Sequence, residues 1–220
     1  MWRNIARVRR WIWCLGGIVL AGVIIAGIPV IRSSILRHAG WLLVAYDPVE
    51  PSDVIVIALD AGGAGVLEAA DLVHAGIARR VAVFAGGPPD SVEREFSRRG
   101  IPYEGSAPLK LPLLKSLGVT AIDLIPAAAD GTTSEADVLP GWSTQHGFRS
   151  IVVVSNPDHS RRLRRMLRRT MKNHQIRVMI RPARHSTFDP DHWWETHTGI
   201  RIEVIEIQKL LLDVIRHPIS

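Results

Sequence analysis

Cysteine is nearly absent from this 220-residue chain: Cys14 is the one thiol. It sits inside a long apolar run, so the rest of the chain has no thiol to oxidise and no Cys-x-x-Cys metal or redox pair. A His-Glu-x-x-His run, the helical zinc signature, is missing as well. So is the Gly-x-Gly-x-x-Gly register of nicotinamide dinucleotide sites. The first glycine loop reads "DAGGAG" (60–65), and the second apolar run ends in Gly86 and Gly87 where such sites place an acid for the ribose. No internal repeat or low-complexity tract occurs, which removes solenoid and disordered architectures. The first ten residues carry Arg3, Arg7, Arg9 and Arg10 and no acid.

What is present is enough apolar material for one anchor and one domain. Hydrophobic residues make up 47% of the chain, and a chain of this length buries its own core. The net charge of +6 and pI of about 10.2 call for a polyanionic partner: nucleic acid, an anionic membrane surface or a phosphate-bearing ligand.

Residues 11–31, "WIWCLGGIVLAGVIIAGIPVI", contain no charge. At about 1.5 Å per residue such a helix matches the thickness of a bilayer's hydrocarbon core. The run exceeds the h-region of a signal peptide, and no Ala-x-Ala site closes it. It predicts one transmembrane helix. The arginines before it outnumber Arg32 and Arg37 after it, which places residues 1–10 in the cytoplasm and the remainder outside. A connector (32–50) then leads through the acid- and proline-rich "DPVEPSD" (47–53) into a domain spanning 51–220. An outward-facing domain does not meet nucleic acid, which leaves membrane and phosphate-bearing ligands.

Beyond the connector, strand-length apolar runs at 54–59, 81–85, 122–125, 151–154 and 176–180 alternate with helix-period segments at 66–75, 91–99, 134–145 and 160–171. A last amphipathic helix is expected at 202–215. Near-continuous apolar strands alternating with helices predict an α/β fold, a Rossmann-like parallel sheet with helices on both faces. Residues 103–120 read as an insertion in that alternation.

In such sheets ligands gather beyond the carboxyl ends of the strands, where helix N-termini offer free N–H groups. The loops there are "DAGGAG" (60–65), "AGGPPD" (85–90), "AAADGTTSE" (127–135) and "SNPDHS" (155–160). They supply Asp60, Ser155 and His159 as polar groups and glycines that let backbone approach a ligand. After the fourth strand, Leu163, Met166, Leu167 and Thr170 mark the face expected to pack on the sheet. Arg161, Arg162, Arg164, Arg165, Arg168 and Arg169 fill the opposite arc, expected to be largely a solvated basic face. Arg161 and Arg162 oppose the helix dipole in the first turn, a misfit that a bound anion relieves. His159 has a plain reading too, as a helix-start residue bonding the loop backbone, and Glu135 one as an acid favoured by the dipole of its own helix. The stretch 184–197, with His185, His192 and His197, lacks any recognised metal spacing, so no metal ligand is assigned there.

The order of these motifs resembles the YdcF/SanA/ElyC-like family of bacterial proteins. The matching segments are "SDVIVIALDAGG" (52–63), "AADLVHAGIARRVAVFAGG" (69–87), "TTSEA" (132–136), "VVSNPDHSRR" (153–162) and "EIQK" (206–209). The resemblance singles out Gly62, Gly63, Gly86, Gly87, Thr133, Glu135, His159 and Arg162. It also shows departures: Gly65 stands where the family usually has an arginine, Ala127 where it has a glutamate and Thr132 where it has an asparagine. It implies a domain held on the outer side of the bacterial cytoplasmic membrane, tied to envelope and peptidoglycan biogenesis. The expected partner is a phosphate-bearing small molecule or lipid carrier, or a nucleotide-like ligand; no cofactor is named. In the enzymatic version, His159 with Glu135 or Asp60 moves protons. Gly62, Gly63, Gly86, Gly87, Thr133, Ser155 and Arg162 hold the ligand. The alternative is a noncatalytic, membrane-anchored barrier or interaction protein.

Overall fold

A computed structural model describes residues 16–17, 27–85, 91–101, 110–126 and 131–218. Most of the expected transmembrane run lies outside these residues. Among the described residues no helix is long and apolar enough to cross a membrane. The end of that run and most of the connector form one helix, α1 (Pro29–Trp41), opened by a proline in its first turn where no N–H is missed.

Five strands build the sheet: β1 (Val54–Ile57), β2 (Val81–Phe84), β3 (Ile122–Ile125), β4 (Ser150–Ser155) and β5 (Arg177–Pro182). All neighbours are parallel and the order is β3-β2-β1-β4-β5. β1 is the central strand. Its four residues, Val54, Ile55, Val56 and Ile57, are fully buried, because both faces of a parallel sheet are covered and β-branched side chains suit the pleat. Val56 lies between Ala82 and Val153 in register.

The helices are α2 (Gly62–His74), α3 (Ser91–Arg98), α4 (Lys110–Ser116), α5 (Gly131–Gln145), α6 (Pro157–Thr170) and α7 (His197–Arg216). α2 packs on β1 and α4, while α5, α6 and α7 pack side by side. The chain runs one way across the sheet from β1 to β3 and back from β3 to β5, which under the right-handed crossover rule puts these two groups on opposite faces. The parallel α/β sheet expected from the sequence is thus present. The strand order reverses between β1 and β4, the place where open sheets of this kind leave a crevice.

One packing detail corrects the sequence reading, and a second shows what the stretch 184–197 does. The arginines of α6 are mostly not a solvated face. Arg161 donates to the carbonyls of Trp41 and Val44, Arg164 pairs with Asp47 at 2.5 Å, and Arg165 and Arg169 both clasp Asp213 of α7. Leu163, Met166 and Leu167 are buried as expected. The stretch 184–197, weighed above for metal, instead docks α1: the Trp193 indole N–H donates to Leu36 O at 2.8 Å and the Trp41 indole N–H to Asp191 at 3.0 Å. Among the described residues no group of three or more His, Cys, Asp or Glu is placed to hold a metal ion.

Candidate functional site at the carboxyl edge of β1 and β4

β1 ends in a tight turn, Leu59–Ala61, that carries Asp60 to the crevice. Gly62 follows with φ +49°, a left-handed conformation that disfavours side chains, and Gly62 and Gly63 leave open space where a Cβ would stand. β4 ends in Ser155, buried, its hydroxyl turned to the neighbouring backbone carbonyl of Asn156. The two strand ends are laced together: the Asn156 N–H donates to the Asp60 carboxylate at 3.0 Å, and the Asn156 side-chain amide donates to the Asp60 carbonyl at 2.8 Å.

Glu135 enters this crevice from the first turns of α5. It is 1% exposed, and its Oε1 accepts the Leu59 N–H at 3.3 Å. Lys110, at the start of α4, reaches the same turn from another side, donating to Ala58 O at 3.0 Å and Leu59 O at 3.5 Å. Residue 59 is therefore held by Glu135 at its N–H and by Lys110 at its carbonyl.

The electrostatics follow from burial. Desolvation, reinforced by the nearby Asp60 charge, pushes the Glu135 carboxyl up to about 8, so it is protonated at neutral pH. Burial also raises Asp60, against the pull of His159, the Asn156 N–H and Lys110. Burial lowers the Lys110 ammonium, and Glu135 and Asp60 only partly offset it. Two carboxyls that cannot both ionise cheaply beside one buried lysine titrate as a coupled group.

His159, on the first turn of α6, borders the same cluster. Its Nδ1 is 2.9 Å from Glu206 Oε2 and its Nε2 is 3.6 Å from Asp158 Oδ2. Burial pulls the imidazole down, but the Glu206 hydrogen bond and the charges of Asp60, Glu206 and Asp158 outweigh it and raise its pKa. Arg162 sits on the same carboxylate, with Nη2 and Nε at 3.1 and 3.3 Å from Glu206 Oε2. Its Nη2 also lies 3.0 Å from His159 Nδ1. The Nδ1–H belongs to Glu206, so the arginine and the imidazole share one carboxylate. Burial works against ionisation of Glu206, yet His159, Lys209 and Arg162 bring it down to about 2.

One acid of α7 stands apart. Glu203 is 1% exposed, and among the described residues neither carboxylate oxygen has a hydrogen-bond partner. Burial and then the Asp158 charge lift it to about 7. A buried carboxyl without partners is kept neutral at modest cost and ionised only at a large one.

The structure thus brings Asp60, Glu135 and His159 into one electrostatically coupled group and sets Arg162 beside it. Thr133 and Arg162 line a common cleft of about 320 Å³ between α5, α6 and α7. Ser155 lies beneath the group, spent on its own backbone. Gly86, Gly87 and Ala127 lie outside the described residues. Gly65, where the resemblance expects an arginine, is buried against Ile57 and Ala61: a Cβ there would stand 2.4 Å from Ala61 Cβ and 2.9 Å from Ile57 Cγ2. No side chain fits. A separate cleft of about 710 Å³, lined by Trp41, Tyr46, Arg181, Arg184 and Phe188 among others, contains none of these groups. The Arg181 and Arg184 cations there are both committed to the fully buried Glu68.

Sequence reasoning missed Lys110, Glu203 and Glu206 as parts of the site. Lys110 lay hidden in the stretch taken as an insertion. The signal for the other two was available: in "IEVIEIQK" two acids recur three residues apart on an otherwise apolar helix, a spacing that puts both on one face. No known family model matches this chain, and no curated protein matches it.

Proposed function

We propose that this chain is a membrane-anchored, extracytoplasmic domain that binds a phosphate-bearing envelope precursor or nucleotide-like ligand in the crevice between β1 and β4 and carries out proton transfer on it. The observation that carries this reading is the pairing of Glu135, neutral at pH 7, with Asp60 and with His159, whose pKa its carboxylate neighbours raise, at the carboxyl edge of a parallel sheet. A general acid works best with a pKa near the working pH, and burial beside Asp60 puts Glu135 there. In this reading Glu135 donates a proton to a departing oxygen, and His159 and Arg162 face the ligand's negative charge. Lys110 limits the negative charge shared by Asp60 and Glu135. The YdcF/SanA/ElyC-like order of motifs and the uncharged run at 11–31 support the envelope setting. The commitment of five of the six α6 arginines to protein partners speaks against a lipid-adhesive basic face as the main activity.

The test is a ligand screen by thermal shift on the full chain in detergent micelles, with isoprenyl phosphates, nucleotide sugars and inorganic phosphate. Stabilisation by a phosphorylated class, weakened about tenfold in affinity by Arg162→Ala and His159→Ala, supports the reading. No stabilisation by any member moves the protein to a noncatalytic envelope role.

A further inference from the structure

The cleft shared by Thr133 and Arg162 is more basic than one phosphate requires. Its walls include Arg169 of α6 and Lys209, Asp213 and Arg216 of α7. Glu206 answers both Arg162 and Lys209, and Asp213 answers both Arg165 and Arg169. Among the arginines and lysines each carboxylate therefore leaves one cation over, and Glu206 carries the His159 imidazole besides. Arg216 is exposed and has no partner among the described residues. Among the described residues Arg162, Arg165, Arg169, Lys209 and Arg216 exceed Glu206 and Asp213 by three positive charges around this cleft of about 320 Å³, Arg165 and Glu206 standing outside its lining.

The spacing carries the argument further. Glu206 and Asp213 are seven residues apart on one helix, about two turns or ~10 Å along its axis. The cation groups they anchor are separated in the same way, one at the His159 end and one at the Arg216 end. Carboxylates clamped between paired cations hold the arginine forks in place before a ligand arrives, which lowers the ordering cost of binding. A phosphate monoester carries about two negative charges at most and answers one end of this cleft.

We propose that the cleft between α5, α6 and α7 is a binding site for a ligand with two linked phosphate groups, a diphosphate. One phosphate lies toward Arg162 and the other toward Arg169 and Arg216, with the Thr133 hydroxyl at the side. The inference deepens the proposed function by naming the charge of its ligand, and rests on that reading only for which group reacts. The diphosphate could belong to a soluble nucleotide-like molecule or to a lipid headgroup; the chemistry recognised is the same.

The test is calorimetric titration of the full chain in micelles with inorganic pyrophosphate and with orthophosphate at matched ionic strength, alongside flotation with phosphatidylglycerol and phosphatidylcholine vesicles. Pyrophosphate should bind at least tenfold more tightly than orthophosphate. Arg216→Ala should weaken pyrophosphate about tenfold without moving the melting temperature of the free protein, since that side chain is exposed and unpaired. Glu135→Gln should keep pyrophosphate binding, so a failed proton-transfer role and a failed diphosphate site give different results. Equal affinity for the two anions, or pyrophosphate binding indifferent to Arg216→Ala, would overturn the proposal. So would association with phosphatidylglycerol vesicles without any binding of free pyrophosphate.

Discussion

His159 Nδ1 lies 2.9 Å from Glu206 Oε2, joining the first turn of α6 to the middle of α7. That contact makes α7 part of the site, since Arg162 and Lys209 share the same carboxylate. Removing the acid strands Arg162, Lys209 and the His159 imidazole. Glu206→Ala is expected to destabilise the fold by about 3–5 kcal/mol, the range for breaking a buried pair from one side, measured by urea denaturation at pH 7. Glu206 ionises near 2 in the folded protein and near 4.5 unfolded, so its contribution is full above about 4.5 and is lost as pH falls toward 2. The wild type should therefore lose more stability than Glu206→Gln between pH 5 and 2.

Glu135 runs the other way. An acid raised from 4.5 to about 8 binds its proton more tightly in the folded state, so stability falls as pH rises between those values. Glu135→Gln keeps an oxygen for the Leu59 N–H and removes the titration. Denaturation curves at pH 5 and pH 9 should show a smaller difference in the variant, which should be the more stable protein at pH 9.

Much of the scaffold was legible beforehand because β-branched runs such as Ile151–Val154 admit few other readings, and the structure extends that strand by one residue at each end to Ser150–Ser155. Asp60, Glu135 and His159 were legible because strand ends are where loops converge. Lys110 was not, because its partners are backbone carbonyls 51 and 52 residues away and no spacing in the sequence announces such a bond. The α6 arginines misled because helical periodicity places a side chain on an arc and says nothing of a second helix lying over it; α7 and the connector turn that arc into a set of ion pairs. Residues 86–90 and 127–130, most of one expected loop and the first part of another, lie outside the described residues.

Gly65 offers a packing test independent of chemistry. With Ala61 Cβ and Ile57 Cγ2 within 3 Å of an added Cβ, Gly65→Ala should cost about 1–3 kcal/mol by overpacking, despite the better helix propensity of alanine. A stability equal to wild type in thermal melts would contradict the tight seat of α2 on β1.

Glu68 ties α2 to the end of β5. It is fully buried, with Arg181 at 2.7 Å and Arg184 at 2.8 Å. Glu68→Ala should lose about 3–5 kcal/mol in denaturant melts, and Arg184→Ala much less, because Arg184 is half exposed and water screens its pair.

The central claim is that Glu135 acts as an acid on a phosphorylated ligand, and the direct measurement is turnover of phosphorylated lipids and nucleotide sugars by wild type and Glu135→Gln, followed as phosphate or leaving-group release from pH 6 to 9. The account predicts turnover of one class, declining above about pH 8 as Glu135 ionises, and a loss of about 10²–10⁴-fold in the variant with ligand binding retained. Turnover by the variant at the wild-type rate, or none by either protein across the panel, would contradict it.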